Sequence, residues 1–448
     1  MKQKKIVVLG AGESGTGAAI LALDKGYEVF VSDFGKISDK YKAVLDREGI
    51  AWEEGGHTLE RILDADEVVK SPGIAKETPV MRAVASKNIP VISEIEFAGR
   101  FASARMVCIT GSNGKTTTTL LIYHILKQAG LDVGLAGNVG NSLAYQVARD
   151  PHKVYVIELS SFQLDDMHRF HANIAVILNI TPDHLDRYDH KMENYVRAKF
   201  RILQNQTPAD AFIFWKDDPV IAAQLKAIAV EARRYPFSEH AGDGVAAFVD
   251  EEDRLVALTP GSEFTMPRAD LSLNGLHNLY NSMAAALAAG LMDIRSDQLR
   301  KSLSDFEGVE HRLEYVETID GVRYVNDSKA TNVNSTWYAL ESMKSPVVLI
   351  LGGKDKGNDY SEILPLVREK VTSIVAMGLH NEKIVDFFSQ YVPVKSTNSL
   401  ADALAAASAA ARPGDTVLLS PCCASFDLFK SYEDRGRQFK AAVRNLKK

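Results

Sequence analysis

The segment RMVCITGSNGKTTTTLLIYHILKQAG, residues 105–130, carries the clearest signal for the fold of this chain. It begins with an apolar run typical of a buried strand, passes through a glycine turn and continues as a helix. Glycines in such a turn let backbone amides point toward phosphate oxygens, and the positive end of the helix dipole adds to the attraction. The segment therefore predicts a phosphate-binding loop between a strand and a helix.

Two side chains of this loop suit a nucleotide. Lys115 can reach the β- and γ-phosphates, and Thr116 can give a hydroxyl to magnesium. The spacing departs from G-x-x-x-x-G-K-[ST], because only two residues separate Gly111 from Gly114. The alternative is a simple turn between strand and helix, but GKT placed between a strand and a helix favours the phosphate site.

Similar segments, each a predicted strand followed by a turn, lie on both sides of this one. KIVVLGAGESG at residues 5–15 matches G-x-G-x-x-G, and Asp33 follows the next strand, as in a dinucleotide-binding fold. The apolar runs VVLILGG and SIVAMG recur in the last third of the chain. We predict an α/β protein of three domains. These are a Rossmann-like domain at 1–95, a central P-loop ATPase-like parallel sheet at 96–308, and a Rossmann-like domain at 309–448.

The composition of the 448 residues limits the classes of function. Hydrophobic residues make up 46% and charged residues 25%, as in ordinary globular proteins. The formal net charge of -6 argues against nucleic-acid binding. Three cysteines are too few for a disulfide framework, and no apolar stretch approaches the roughly 18 residues of a membrane span. We expect a cytoplasmic protein with neither nucleic-acid nor membrane partners.

Acidic and histidine side chains follow two further apolar runs. VYVIEL ends at Glu158, and IAVILNITPDH ends near Asp183 and His184. Because the carboxyl ends of parallel strands meet at one edge of a sheet, these groups could converge on the phosphate loop. Magnesium prefers oxygen ligands, so Glu158 is the stronger candidate. A structural role is the alternative for His184.

Lys199 occupies an unusual place in a predicted helix. It lies in the middle of an apolar face formed by Met192, Tyr195, Val196, Ile202 and Leu203. Such a lysine commonly extends its charge to solvent, which is one interpretation. The other is a buried lysine with a lowered pKa. Its neutral amine could add carbon dioxide to become a carbamate, an anionic ligand for a metal.

The C-terminal third carries cations and hydroxyls after strands. YVNDSKATN holds Asp327, Lys329 and Thr331, LGGKDKG holds Lys354 and Lys356, and LSPCCASFDLF holds Ser425. Cations and hydroxyls at strand ends suit a small anionic substrate, although solvated loop lysines are the alternative for each motif.

Together these motifs closely resemble the Mur ligases of peptidoglycan synthesis. The resemblance runs nearly the whole length through TGSNGKTT, ELSSFQL, TPDHLDR, RAKFR, GLHNLYN, EHRLE, NDSKATN and LGGKDKG. The SPG at Ser71–Gly73 and the run LSPCCASFDLFKSYEDRGRQF look like the members that add D-glutamate to UDP-N-acetylmuramoyl-L-alanine. The resemblance implies an ATP-dependent ligase that works through an acyl phosphate with magnesium, two ions being expected, and that is expected to be a monomer.

The resemblance also implies roles for individual residues. The catalytic residues would be Lys115, His184 and a carbamylated Lys199. The metal would be held by Thr116, Glu158, His184 and Lys199. ATP would be contacted by Gly111, Ser112, Asn113, Gly114, Lys115, Thr116, Thr117, Asn278, Asn281, Arg312 and Asp327. The UDP substrate would be contacted by Ser14, Asp33, Gly73 and Asn138. D-glutamate would be surrounded by Lys329, Thr331, Lys356, Ser425 and Tyr432.

Three other classes of function compete with this interpretation. A folylpolyglutamate synthase or another Mur ligase would share the central motifs, but the N-terminal glycine fingerprint and SPCCASFD weigh against the former. An NAD-dependent oxidoreductase would use GAGESG but would not explain TGSNGKTT. A nonenzymatic ATP-binding switch would leave the cationic C-terminal motifs without a role.

Overall fold

A computed structural model of the protein describes residues 3–355 and 357–446. It contains three separate β-sheets with helices packed around them, which confirms the predicted α/β class and the predominance of parallel strands. The chain divides into two compact units, one made of Met1–Leu271 and Tyr280–Asp305, the other of Ser272–Leu279 and Phe306–Lys448. The predicted domain limits at 95 and 308 stay predictions.

The first sheet belongs to the first unit and is parallel throughout, in the order β3-β2-β1-β4-β5. Its apolar strands are buried on both faces, as parallel strands generally are. The strands are β1 (Lys5–Leu9), β2 (Glu28–Asp33), β3 (Ala51–Glu54), β4 (Glu67–Lys70) and β5 (Val91–Ser93). The helices are α1 (Glu13–Asp24), α2 (Asp39–Arg47), α3 (Leu59–Ile62), α4 (Pro79–Ser86) and α5 (Glu94–Gly99).

The second sheet also belongs to the first unit and has nine strands in the order β14-β13-β12-β11-β10-β9-β6-β8-β7. Its pairs are parallel except for the two antiparallel pairs that β13 makes with β12 and β14. The strands are β6 (Arg105–Thr110), β7 (Val133–Gly137), β8 (Val154–Glu158), β9 (Ile174–Ile177), β10 (Ala211–Trp215), β11 (Arg233–His240), β12 (Ala247–Val249), β13 (Arg254–Thr259) and β14 (Ser262–Pro267).

Helices of this central part of the chain connect the parallel strands and cover the sheet. They are α6 (Lys115–Gln128), α7 (Leu143–Arg149), α8 (Ser161–Asp165), α9 (Met192–Phe200), α10 (Pro219–Ala227), α11 (Leu276–Leu291) and α12 (Ser296–Asp305). The core of the first unit is continuous between the two sheets, because α1 and α5 of the first sheet pack on α7.

The third sheet forms the second unit in the order β15-β16-β20-β17-β18-β19, with only the β15–β16 pair antiparallel among its described strands. The strands are β15 (Glu314–Ile319), β16 (Val322–Asn326), β17 (Val347–Leu351), β18 (Val371–Met377), β19 (Val394–Thr397) and β20 (Thr416–Leu419). The helices are α13 (Val333–Glu341), α14 (Leu364–Lys370), α15 (Glu382–Phe388), α16 (Leu400–Ala410) and α17 (Tyr432–Asn445).

Within residues 3–355 and 357–446, no helix is both long enough and apolar enough to cross a membrane.

Candidate active site

The loop between β6 and α6 has the geometry of a phosphate cradle. Gly114 precedes α6 with φ of 82°, a left-handed conformation that glycine adopts without strain. A Cβ atom at this position would lie 2.5 Å from Oδ1 of Asn281. Gly114, the N-cap residue of α6, makes no side-chain capping hydrogen bond, and the N-terminus of such a helix favours an anion.

Polar groups from the segment that follows β9, together with a tyrosine of α9, fix the shape of this loop. The backbone N–H of Asn113 donates to Oδ1 of Asn179 at 2.9 Å, and the Asn179 side-chain amide donates back to the Asn113 carbonyl at 3.1 Å. The Ser112 hydroxyl donates to the Thr181 carbonyl at 2.8 Å and lies 3.0 Å from the Tyr195 hydroxyl. The loop is therefore held rigidly in place by groups that sequence reasoning did not select.

Two lysines meet at one carbonyl oxygen of the loop. Nζ of Lys115 donates to the Gly111 carbonyl at 2.8 Å, and Nζ of Lys199 donates to the same oxygen at 2.7 Å. Lys199 is only 1% exposed, and its Nζ lies 4.6 Å from the centroid of the Tyr195 ring. Burial, reinforced by the charge of Lys115, holds the pKa of Lys199 well below its usual range. The structure therefore places Lys199 inside the protein, not at the surface.

Glu158 provides an oxygen without a protein partner beside this loop. The side chain is 1% exposed, and its Oε1 accepts a hydrogen bond from the Asn138 side-chain amide at 2.8 Å. Its Oε2 is buried and has no hydrogen-bond partner among the described residues. Since a buried carboxylate oxygen is costly without a partner, this atom suits a cation. Asn138, predicted to contact substrate, is here a partner of Glu158.

His184 lies at a sharply turned position after β9. Its backbone has φ of 53°, and its ring makes an edge contact with Phe162 at 5.3 Å between centroids. Nε2 lies 3.6 Å from Oδ2 of Asp183, and the side chain is 44% exposed. The ring is thus accessible to a ligand, as the prediction for His184 requires.

A magnesium site at this edge would depend on few protein ligands. The part of the chain that the structure describes has no group of three or more His, Cys, Asp or Glu side chains placed to hold a metal ion. Magnesium commonly keeps several waters and binds one or two carboxylates together with substrate phosphates. The open oxygen of Glu158 and the buried hydroxyl-bearing Thr116 in the first turn of α6 fit that pattern.

The first sheet brings the predicted UDP-substrate residues to its carboxyl edge. Ser14 lies in the first turn of α1, Asp33 ends β2, and Gly73 follows β4. Both oxygens of Asp33 accept backbone hydrogen bonds, Oδ2 from Ala11 at 2.7 Å and Oδ1 from Gly35 at 2.8 Å. Asp33 therefore shapes the glycine loop in addition to any contact with a ligand.

The second unit contains three of the residues predicted to contact ATP. Asp327 is buried after β16, where Oδ2 accepts from the Ser420 hydroxyl at 2.8 Å. Burial raises the pKa of Asp327 to about 6, although the nearby Arg312 opposes this. Asn278 and Arg312 line a cavity of about 950 Å³ in this unit.

The same unit also contains the residues predicted to contact D-glutamate, among them Lys329. Its Nζ lies 5.3 Å from the centroid of the Tyr432 ring, at the start of α17. Ser425 is buried, and Thr331 is partly buried. The prediction for Lys356 lies outside the described residues. Lys329 and Tyr432 are therefore neighbours, as expected of residues that share a substrate.

Arg435 of the same unit was missed by sequence reasoning. Its guanidinium is fully buried and donates to the hydroxyl of Ser328 at 2.9 Å and to its carbonyl at 2.8 Å. It also donates to the Cys423 carbonyl at 3.3 Å. Burial lowers the pKa of Arg435 to about 10. The run EDRGRQF contains this arginine, but nothing in its spacing distinguishes a buried arginine from a solvated one.

The fold and the loop define a class of protein. A parallel sheet whose strand leads through a glycine turn into a helix is typical of proteins that bind nucleotide phosphates. Three family models match successive parts of the chain. They are the MurD N-terminal domain at residues 5–80, the Mur ligase middle domain at 109–289, and the Mur ligase, glutamate ligase domain at 311–423.

Curated relatives match over the full length. The chain is 62% identical over 445 residues to the UDP-N-acetylmuramoylalanine–D-glutamate ligase of Bacteroides fragilis, covering 99% of this chain and 100% of the relative. It is 57% identical over 443 residues to the ligase of the same name from Porphyromonas gingivalis, covering 98% of each. The chain belongs to the Mur ligase family, and it is a ligase of that family.

Solved structures share the same fold. UDP-N-acetylmuramate-alanine ligase MurC from Thermotoga maritima superposes with a TM-score of 0.62 at 18% identity, covering 99% of both chains. A pseudomurein peptide ligase type C from Methanothermus fervidus gives a TM-score of 0.62 at 21% identity, covering 99% of this chain and 100% of its own. These matches support the three-sheet α/β architecture.

Proposed function

We propose that this ligase joins D-glutamate to the alanine carboxyl group of UDP-N-acetylmuramoyl-L-alanine, with ATP as the energy source, in the synthesis of peptidoglycan precursors. The observation that carries the proposal is the 62% identity, over essentially the whole of both chains, to a ligase named for that reaction. The match of residues 5–80 to the MurD N-terminal domain supports the same substrate.

The first half of the proposed reaction activates the substrate carboxyl group. An alanine carboxylate oxygen attacks the γ-phosphorus of ATP, the bond to the bridging oxygen breaks, and ADP leaves as an acyl phosphate forms. The rigid loop from Gly111 to Thr117 would hold the phosphates, with Lys115 neutralising the charge that develops on them. Magnesium, when bound, would supply further positive charge at the phosphate oxygens.

The second half forms the amide bond. The uncharged amine of D-glutamate attacks the acyl carbon, a proton leaves the nitrogen, and the carbon–oxygen bond to phosphate breaks from a tetrahedral intermediate. Lys329 suits a carboxylate of D-glutamate, with Thr331, Ser425, Tyr432 and Lys356 assigned to the same substrate by family resemblance. No protein nucleophile is required.

The metal ligands are part of the same proposal. We assign Thr116, Glu158, His184 and a carbamylated Lys199 to magnesium, with two ions expected. The buried oxygen of Glu158 and the solvent-shielded amine of Lys199 support this assignment. Contacts to ATP from Ser112, Asn113, Asn278, Asn281, Arg312 and Asp327, and contacts to the UDP substrate from Ser14, Asp33, Gly73 and Asn138, belong to the proposal as well.

Location, assembly and domain limits complete the proposal. We assign UDP-substrate binding to residues 1–95, ATP binding to 96–308 and amino-acid binding to 309–448. The division of the described strands into three sheets supports this assignment. The family's role in precursor synthesis is consistent with a cytoplasmic monomer.

Phosphate release with a matrix of substrates tests the proposed function. Each UDP-muramoyl acceptor is combined with each of D-glutamate, L-glutamate, L-alanine, L-lysine and diaminopimelate in the presence of ATP and magnesium. We expect turnover only where UDP-N-acetylmuramoyl-L-alanine and D-glutamate are together. Robust turnover with another amino acid and no response to D-glutamate would refute the assignment.

A further inference from the structure

A buried ion pair links the SPG loop of the first sheet to the central sheet. Lys70, the last residue of β4, is 3% exposed, and its Nζ lies 2.8 Å from Oδ2 of Asp166. Asp166 directly follows α8 and is 8% exposed. A buried ion pair of this kind contributes little net stability, because desolvation of both charges offsets their attraction. The ion pair between Lys70 and Asp166 is therefore better explained by a role other than stability.

The ammonium group of Lys70 also holds the loop that follows it. Nζ donates to the Ile74 carbonyl at 3.1 Å and, more weakly, to the Ser71 carbonyl at 3.5 Å. The loop Ser71–Ile74 thus closes around a fixed positive charge. On its other side the loop touches the glycine turn of β1, since a Cβ atom at Gly10 would lie 2.4 Å from Oγ of Ser71.

The turn that carries Asp166 is held by hydrogen bonds to the end of helix α9. Arg201, directly after α9, donates from Nε to the Leu164 carbonyl at 2.8 Å and from Nη2 to the Met167 carbonyl. Gln204 donates to the same Met167 carbonyl at 2.8 Å. Helix α9 also contains Lys199, which contacts the phosphate loop. A continuous series of polar contacts therefore joins the SPG loop to the phosphate loop inside the first unit.

We propose that Lys70 is a positioning residue for the UDP substrate, which holds the SPG loop in its binding conformation through Asp166. The inference rests on the proposed function, because it takes the SPG loop to contact the UDP group. It predicts that Lys70 sets the affinity for the UDP substrate without acting on ATP, on D-glutamate or on the chemical steps.

The test uses the full-length enzyme and two variants at this position. Lys70→Met removes the hydrogen bonds to the loop and leaves Asp166 buried without its partner. Lys70→Met/Asp166→Asn removes the same hydrogen bonds but no longer buries an unpaired charge, so that most of the lost thermal stability should return. Lys5→Met is the matched control, because Lys5 forms ion pairs with Asp64 and Glu28 at the opposite end of the same sheet.

We expect both Lys70 variants to raise KM for the UDP substrate about tenfold, since hydrogen bonds from a charged group are lost in each. Their KM for ATP and D-glutamate and their kcat should stay within about twofold of wild type, and Lys5→Met should match wild type. Titration calorimetry with the UDP substrate alone, a condition in which no turnover occurs, should show the same tenfold loss of affinity.

Two results would overturn the inference. If the double variant recovers substrate affinity together with melting temperature, Lys70 serves stability alone. If neither variant changes the UDP-substrate affinity, the SPG loop does not depend on Lys70. Failure of the proposed function is recognised separately, because the wild-type enzyme itself would then neither bind this substrate nor turn it over.

Discussion

Replacement of Lys199 is the perturbation that most sharply tests how the site works. Its Nζ is buried and shares the Gly111 carbonyl with Nζ of Lys115, at 2.7 and 2.8 Å. Two unit charges about 4 Å apart repel by about 4 kcal/mol at an effective dielectric constant of about 20. Burial first, and then the charge of Lys115, holds the pKa of Lys199 well below its usual range, although Asp183 and Glu158 oppose the shift, and this direction favours an uncharged amine. An uncharged amine can add carbon dioxide and lose a proton to give an anionic carbamate.

The expected results follow from the loss of that anion. Lys199→Ala should lower kcat by about 10²–10³, the usual cost of removing one group that stabilises transition-state charge. Acetate or formate at high concentration should occupy the vacated space and recover part of the activity. Lys199→Arg should be as inactive as Lys199→Ala, because a guanidinium stays cationic and forms no carbamate. Arg197→Ala, an exposed position on the same helix, is the control and should keep full activity.

Phosphate release by each variant, with and without added carboxylate, is the assay. Carbon-13 bicarbonate with NMR detection gives a second readout, in which wild type should show a carbamate resonance that the variants lack. A fully active Lys199→Arg enzyme, or an Ala variant indifferent to acetate and formate, would refute the reasoning and leave Lys199 as a structural hydrogen-bond donor to the loop.

Three further predictions concern residues of the first unit. Lys115→Ala should abolish turnover but leave UDP-substrate affinity unchanged in calorimetry, because Nζ of Lys115 donates to the Gly111 and Ser112 carbonyls of the phosphate loop, which we assign to ATP. Loss of both would contradict the division of roles. Gly114→Ala should destabilise the protein by at least about 1 kcal/mol in denaturant unfolding, because its φ is 82° and a Cβ would approach Asn281. Burial raises the pKa of Glu94 from 4.5 to about 7. Between these two pH values the folded protein keeps a proton that the unfolded chain has released. The free energy of unfolding therefore falls as the pH rises from about 4.5 to 7. Glu94→Gln should therefore gain up to about 3 kcal/mol relative to wild type across that range in unfolding experiments, and a pH-independent difference would contradict this.

The fold was predictable because its elements carry strong local signals. Apolar runs such as Ile174–Ile177 are too short for helices and stand between turns, so their strand character follows from the sequence alone. Residues 206–270 are less informative, because they carry only short strand-like pieces and no recognisable motif. The structure places β10–β14 there, and the antiparallel strands among them extend the sheet away from the phosphate loop. Antiparallel strands at the edge of a sheet alternate hydrophobic and polar residues, and this gives a weaker sequence signal than the continuous hydrophobic runs of buried parallel strands.

The candidate site was predictable where chemistry coincides with a local motif. Lys199 could be singled out because a lysine in an apolar helical face is unusual, and the structure confirms its burial. Arg435 and Lys70 could not be found in this way. Their burial depends on partners that are distant in sequence, Ser328 for one and Asp166 for the other, and no spacing rule connects them.

Labelled oxygen in the substrate carboxyl group reports whether the reaction passes through an acyl phosphate. UDP-N-acetylmuramoyl-L-alanine with oxygen-18 in its alanine carboxyl group is incubated with ATP, magnesium, D-glutamate and the enzyme. An acyl-phosphate route leaves one labelled oxygen in each inorganic phosphate released and one in the new amide carbonyl. We predict this pattern, dependent on D-glutamate. Phosphate free of label, with amide product formed at the normal rate, would contradict the mechanism, and absence of any D-glutamate-containing product would contradict the function itself.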